Sequence, residues 1–283
     1  MGFSDNTKLL IIHADDAGLC QAENQATMEA LRNGSVNSCS IMPPCPWFYD
    51  MVEFAKNNPE FDCGIHLTLT SEWATYKWGP VAPMEKVRSL VDKNGFFHAK
   101  RNDFIENCSL KEIRIELRAQ IEKALDFGLR PTHLDCHMFT LGLTKELKRI
   151  YQEFGVEYSL PVLLHKRLIS DFGSDPNKVL EPNDFCVDAV YYAGYSDFEK
   201  EQFAAFYGNV LDNLTPGLHT ILIHPAHDSL EMQAIAVDHP NFGSKWRQMD
   251  FDFFTSETCK EKLKKNNIQL ITWREIKDIL YPK

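Results

Sequence analysis

The sequence predicts an α/β fold: a mostly parallel sheet curled into an irregular (β/α) barrel of about seven strands. Three observations predict it. Short apolar runs alternate with segments of helical periodicity from end to end. Glycines punctuate the joints between them. Polar, chemically capable residues gather where the apolar runs end, which is where barrel folds carry their sites. An open doubly wound sheet is the alternative that the same alternation allows.

The elements follow in order. Lys8–Ala14 (KLLIIHA) reads as a buried strand. Gln21–Asn33 reads as a helix that Gly34 stops. Val36–Met42 is a second strand, and Cys63–Thr70 (CGIHLTLT) a third with period-two alternation. Ser109 and Glu112 form a capping-box pattern ahead of Ile113, Leu117, Ile121 and Leu125, which repeat at helical spacing up to Gly128. Thr132–Cys136 is a strand, and Thr144–Phe154 a helix ended by Gly155. Val156–Val162, His219–His224 and Ile268–Trp273 complete the strands. Residues 71–108 and 165–196 are poorly patterned and read as loops over a site. No Gly/Ser/Pro-rich linker or repeat divides the chain, so residues 1–283 are read as one domain.

Composition narrows the function. Lys plus Arg is 30 against 40 for Asp plus Glu, a net charge of −10, which argues against nucleic acid or an anionic membrane as partner. No run approaches the roughly 18 apolar residues of a transmembrane helix. The N-terminus lacks a signal peptide's basic region and apolar core. The eight cysteines include no Cys-x-x-Cys pair, and without an export signal they are expected as reduced thiols in the cytoplasm.

The chemistry candidates sit at strand ends. His13-Ala14-Asp15-Asp16 closes the first. An Asp-Asp pair before Ala-Gly is also a turn or helix-cap pattern. After a wholly apolar strand, however, a buried carboxylate must be paired or metal-bound. His66 lies between Ile65 and Leu67, where a lone His is often a hydrogen-bonded core residue. His133, Asp135 and His137 are two apart, so a strand presents all three on one face. That is the strongest local signal in the chain. One Asp with two His is a familiar ligand set for a divalent ion that leaves room for water and substrate. His224 and His227 follow the strand over Thr220–Ile223. There is no Gly-x-Ser-x-Gly elbow, Walker loop or His-Glu-x-x-His, and Cys136 would point away from His137 in a strand.

These residues resemble a known family. LLIIHADDAGLCQAENQATMEALRNGSVNSCSIM, GIHLTLT, PTHLDCH and HPA occur in the order and spacing of the YdjC-like carbohydrate deacetylases, which include chitooligosaccharide deacetylase; ITWRE falls at their last strand. The resemblance runs from about residue 8 to 275. It implies a polysaccharide-deacetylase-like barrel, one divalent ion (Mg²⁺ or Zn²⁺) and hydrolysis of N-acetyl groups on small oligosaccharides, phosphorylated or not. Carried over by motif position, Asp16, His66 and His137 would be the metal ligands, Asp15 the general base, and His224 the general acid or an orienting group. His133 and Asp135 would support the liganding histidines, and Arg274 of ITWRE would either pair with the catalytic Asp or lie at the surface. A homodimer is a further expectation. The chain departs from the family pattern in Met138-Phe139-Thr140 after His137, and in Ala17, where the family has an aromatic. Sugar O-acetyl esterase, phosphoesterase and non-catalytic sugar binding are the competing functions on the same residues. Trp73, Trp78 and Phe139 are candidates to stack on a sugar ring, and Lys166, Arg167, Lys245 and Arg247 to meet a phosphate.

Overall fold

The computed structural model describes residues 2–282. Seven strands form one sheet: β1 (Lys8–Ala17), β2 (Ser38–Ile41), β3 (Cys63–Leu67), β4 (Leu134–Cys136), β5 (Ala189–Tyr191), β6 (Gly217–Ile223) and β7 (Ile268–Leu270). All pair in parallel, in the order β4-β3-β2-β1-β6-β5, with β7 against β1. The sheet is curled into a partial barrel with helices outside. Among the described residues β4 and β5 share no ladder; a single bridge, Leu134 to Val162, extends the β4 edge.

β1 is the axis of the sheet. Its Leu9–Ile12 run is buried because strands flank both of its edges. β6 pairs with Lys8 through Ala14 on one edge. The other edge is divided: β7 takes Lys8–Leu10 and β2 takes His13 onward. The β1–β2 register shifts between Ala14 and Ala17, and Asp16 adopts φ 64°. Consecutive strand residues normally face opposite sides. This irregularity instead brings both Asp15 and Asp16 to the cavity at the C-terminal end of the sheet.

Four expectations need correction. Val156–Val162 is not a strand, because the preceding helix runs over Lys145–Tyr158 and ends at Ser159 with φ 54°. Its buried Leu147, Ile150, Tyr151 and Phe154 continue one apolar stripe up to Gly155. Gly155 lies within the helix because a Cβ there would come 2.8 Å from Leu160 O. The seventh strand is β5, inside the segment read as a loop. Gly34 does follow the helix Gln21–Asn33, but in extended backbone; a Cβ would sit 2.7 Å from Ala30 O and 2.8 Å from Phe254 O. Finally, Ser109 makes no side-chain cap on the helix Leu110–Asp126; Glu112 instead accepts from Ser89 N and Oγ.

That helix also fastens residues 71–108. Buried Glu116 accepts from Val81 N (2.9 Å) and Ala82 N (2.9 Å), and Gln120 exchanges hydrogen bonds with the Thr68 backbone. The segment turns through two short 3₁₀ helices and the helix Arg101–Asn107, and buries Trp73, Trp78, Phe97 and Phe104. It is a packed wall of the site rather than a free loop. No helix among the described residues is long and apolar enough to cross a membrane.

Candidate active site

The ends of β1, β3, β4 and β6 converge on a cavity of about 280 Å³. Asp15, Asp16, His66, Asp135, His137 and His224 all line it. Around them stand apolar walls that include Trp73, Phe139, Phe172, Tyr192 and Phe242.

Asp16 is the hub. Its Oδ1 lies 3.0 Å from His137 Nδ1 and 3.3 Å from His66 Nε2. The donor atoms of Asp16, His66 and His137 lie within 4.8 Å of one another. Each ring gives its other nitrogen to a second carboxylate. His66 Nδ1 donates to Asp135 Oδ1 at 2.8 Å, and His137 Nε2 to Glu72 Oε1 at 2.9 Å. A carboxylate behind a histidine fixes the ring and aims its free nitrogen, as in liganding histidines generally. The remaining oxygen, Asp16 Oδ2, accepts from Arg247 Nη2 at 2.8 Å.

The electrostatics follow from this packing. Burial works against the Asp16 charge, but His137 and Arg247 hold its carboxyl well below the usual range. Burial likewise opposes the His137 cation, yet Glu72 and Asp16 lift it to about 9. Asp15, Asp16, Glu72 and Asp135 all line the cavity, and of these Asp16 pairs with the guanidinium of Arg247. The surrounding carboxylates raise the His66 and His137 imidazoles, and a divalent ion bound among them would displace the ligands' protons.

Asp15 meets a different pair of histidines from those that face Asp16. Its Oδ1 is 3.2 Å from His13 Nε2 and its Oδ2 is 3.6 Å from His224 Nε2. Burial pushes His224 down to about 4, so its ring is neutral at pH 7. Asp250 anchors its strand end by accepting from His224 N at 3.0 Å, and the ring packs edge-on against Phe242.

Two residues expected to support the site lie away from it. His133 shares the β4 face with Asp135 and His137 but sits one layer deeper, stacked on Trp273 at 5.1 Å with Nδ1 against Thr132 Oγ1. It makes no hydrogen bond to His66 or His137. Arg274 bonds Phe61 O through Nη2 (2.7 Å), and its backbone N donates to Asp62, away from the cavity. The arginine that pairs with a site aspartate is Arg247, brought in by the helix Ser244–Thr255. It also contacts Glu23 Oε2 and donates Nε to Phe242 O at 2.6 Å, so it is committed to the protein rather than open to a phosphate. Sequence reading also missed Glu72 and gave His13, quoted in the motif that closes the first strand, no role of its own. Arg247 lies 231 residues from Asp16, and no local pattern announces it. His13 did carry a signal, two residues before Asp15 in one strand.

The comparisons bear on this arrangement directly. The family profile described as "YdjC-like protein" matches residues 9–265. The chain belongs to the YdjC-like family. Two curated relatives align over nearly their whole length. The carbohydrate deacetylase of Thermoanaerobacter pseudethanolicus is 28% identical, covering 95% of this chain and 100% of that protein. The chitooligosaccharide deacetylase of Yersinia enterocolitica is 28% identical, covering 93% and 97%. A crystal structure from Enterococcus faecalis, described as a candidate cellobiose-phosphate cleavage protein, superposes with a TM-score of 0.79 at 28% identity, covering 95% of this chain and 99% of that one. The Xyl-CE4 domain of a multidomain xylanase from the hindgut metagenome of Trinervitermes trinervoides shares the fold at TM-score 0.51 and 9% identity. The YdjC-like fold is therefore the polysaccharide-deacetylase-like α/β class expected from the sequence.

Proposed function

We propose that this hydrolase of the carbohydrate deacetylase class removes N-acetyl groups from small acetylated oligosaccharides, of the chitobiose type, in the cytoplasm, with one divalent ion at its centre. The observation that carries the reading is the convergence of Asp16 Oδ1, His66 Nε2 and His137 Nδ1 beside a separate carboxylate, Asp15. The donor set of one carboxylate and two imidazoles, each braced by a further carboxylate, fits zinc or another borderline divalent ion. Bound there, such an ion acidifies water and polarises the acetyl carbonyl.

The chain's own residues supply the rest. Asp16 gives only Oδ1, since Arg247 occupies Oδ2. Asp15 is the general base: it takes the proton of the attacking water as that water's oxygen bonds to the acetyl carbon. His224, neutral in the resting site and 3.6 Å from Asp15 Oδ2, is placed to receive that proton and deliver it from Nε2 to the departing sugar amine as the C–N bond breaks. General acid–base catalysis of this kind contributes about 10²–10⁴-fold. Phe139 stacks on Phe172 at 6.0 Å in the cavity wall, and Trp73 lines it, giving apolar surface for an acetyl group or a sugar face.

Profiling of released groups tests the substrate class. The purified protein is offered N-acetylated, O-acetylated and phosphorylated disaccharides. Acetate from the N-acetyl sugar is expected to dominate. Faster acetate release from an O-acetyl sugar, or phosphate release, would replace amide hydrolysis with the esterase or phosphoesterase reading.

A further inference from the structure

His13 is a buried imidazole for which the mechanism so far has no use. It lies in β1 two residues before Asp15, on the same strand face, and is 1% exposed. Nδ1 is held by Ser38 Oγ at 2.9 Å. Nε2 then faces Asp135 Oδ2 at 2.8 Å, Ser40 Oγ at 3.1 Å and Asp15 Oδ1 at 3.2 Å. The ring edge is closed off by His133, with centroids 4.9 Å apart.

We infer that His13 is a positioning residue for the reaction: its Nε2–H, shared between Asp15 and Asp135, sets the orientation of the base and ties it to the carboxylate that braces His66. The inference rests on Asp15 being the base.

Three observations lead there. Asp15 Oδ1 is buried without a hydrogen-bond partner, and its ion-pair neighbour is His13 Nε2 at 3.2 Å. The other oxygen faces His224 across 3.6 Å, which leaves it free for the proton transferred in the reaction. The carboxylate is thus fixed from below and open above. Finally, Asp135 joins His13 Nε2 to His66 Nδ1 through its two oxygens, with Ser40 Oγ within 2.8 Å of Oδ2. One connected set of contacts, the His13–Asp15 ion pair and the hydrogen bonds of Asp135, therefore spans the base and one of the histidines facing Asp16. A wrongly rotated carboxylate would misplace the base by a fraction of an ångström to an ångström, enough to lower turnover without changing what the pocket binds.

The test uses His13→Leu, which removes the donor, and His13→Gln, whose amide nitrogen can reach the position of Nε2. Each is made alone and in an Asp15→Asn background. Acetate-release kinetics, bound-metal stoichiometry and Tm are read on every protein. The expected result for His13→Leu is a kcat lower by about tenfold or more, with KM and metal content within about threefold of wild type. His13→Gln should recover kcat to within about threefold, and His13→Leu should cost little further once Asp15 is Asn. A kcat for folded His13→Leu within about threefold of wild type overturns the inference. So does a loss that follows metal release, or one of equal size in the Asp15→Asn background. If His13→Leu does not fold, His13→Met makes the same comparison. The two readings fail separately: an Asp15→Asn protein with metal bound and near-normal turnover removes the base assignment itself, whatever His13 does.

Discussion

At the scale of single residues, Asp15 and Asp16 divide the labour although they are adjacent. The β1 irregularity brings both to the cavity, and their partners then separate them: Asp16 faces two imidazoles and Arg247, whereas Asp15 faces His13 and His224. Asp16→Asn is expected to lose metal. Asp15→Asn is expected to keep it and lose turnover by about 10²–10⁴-fold. Metal analysis and acetate release on the same preparations separate the two outcomes. Glu72 offers a finer test. It accepts from His137 Nε2, so Glu72→Gln should weaken metal affinity by about 10–100-fold, measured by competition with a chelator. Unchanged affinity would mean that the Glu72 contact does not orient His137. Much of this was legible beforehand. The spacing of His133, Asp135 and His137 marked one strand face, and the Asp pair after an apolar strand marked a paired or liganding site. What the spacing could not reveal was depth: His133 shares the face but lies beneath Asp135, beside Trp273. Nor could it reveal Arg247, since helix docking brings that side chain in and no local pattern encodes a contact between distant segments.

At the scale of elements, the strands at the site were readable because apolar runs flanked by glycine and polar residues have few other uses. The errors fell where one residue type serves two purposes. Gly34 does end its helix, but Gly155, which reads as a terminator, lies inside one, where a Cβ would crowd Leu160 O. Val156–Val162 has strand composition, yet its first three residues are the exposed or half-exposed last turn of a helix whose buried stripe ends at Gly155. Glu112 reads as the capping-box partner of Ser109 and Glu116 carries no reading of its own, but both hold the wall formed by residues 71–108. Replacing Glu116 with Ala strands the Val81 and Ala82 amides and should cost about 1–3 kcal/mol in urea unfolding. Limited proteolysis should then cut first within 71–108. A cut elsewhere would show that Glu116 is not what fastens this wall. β3 has its own constraint: a Cβ at Gly64 would land 2.4 Å from the His133 ring. Gly64→Ala should therefore destabilise by about 2 kcal/mol or more, because neither strand nor buried ring has room to move.

At the scale of the whole molecule, one hydrophobic core runs from Leu9 in β1 to Ile276 near the C-terminus, and the site is set into its upper end. Placing carboxylates in such a core gives the fold a characteristic pH response. Burial pushes Asp250, which anchors the His224 strand end and accepts from Tyr207, up to about 7 from the ordinary 3.8. The folded state then binds this proton more tightly than the unfolded chain. Its contribution to stability is complete below the unfolded pKa and is lost as pH rises through about 7. The Tm of Asp250→Asn minus that of wild type should therefore increase between pH 5 and pH 8. A difference independent of pH would show that Asp250 is ionised throughout. The central claim is larger than any of these: a carboxylate and two histidines hold a divalent ion, and amide hydrolysis depends on it. Acetate release from N,N′-diacetylchitobiose by protein stripped of metal and then given Zn²⁺, Mg²⁺, Co²⁺ or Ni²⁺ in turn tests it most directly. The account predicts no release from the stripped protein and recovery with at least one ion at one equivalent per chain. Full activity in the stripped protein, or no release with any ion despite stoichiometric binding, would contradict it.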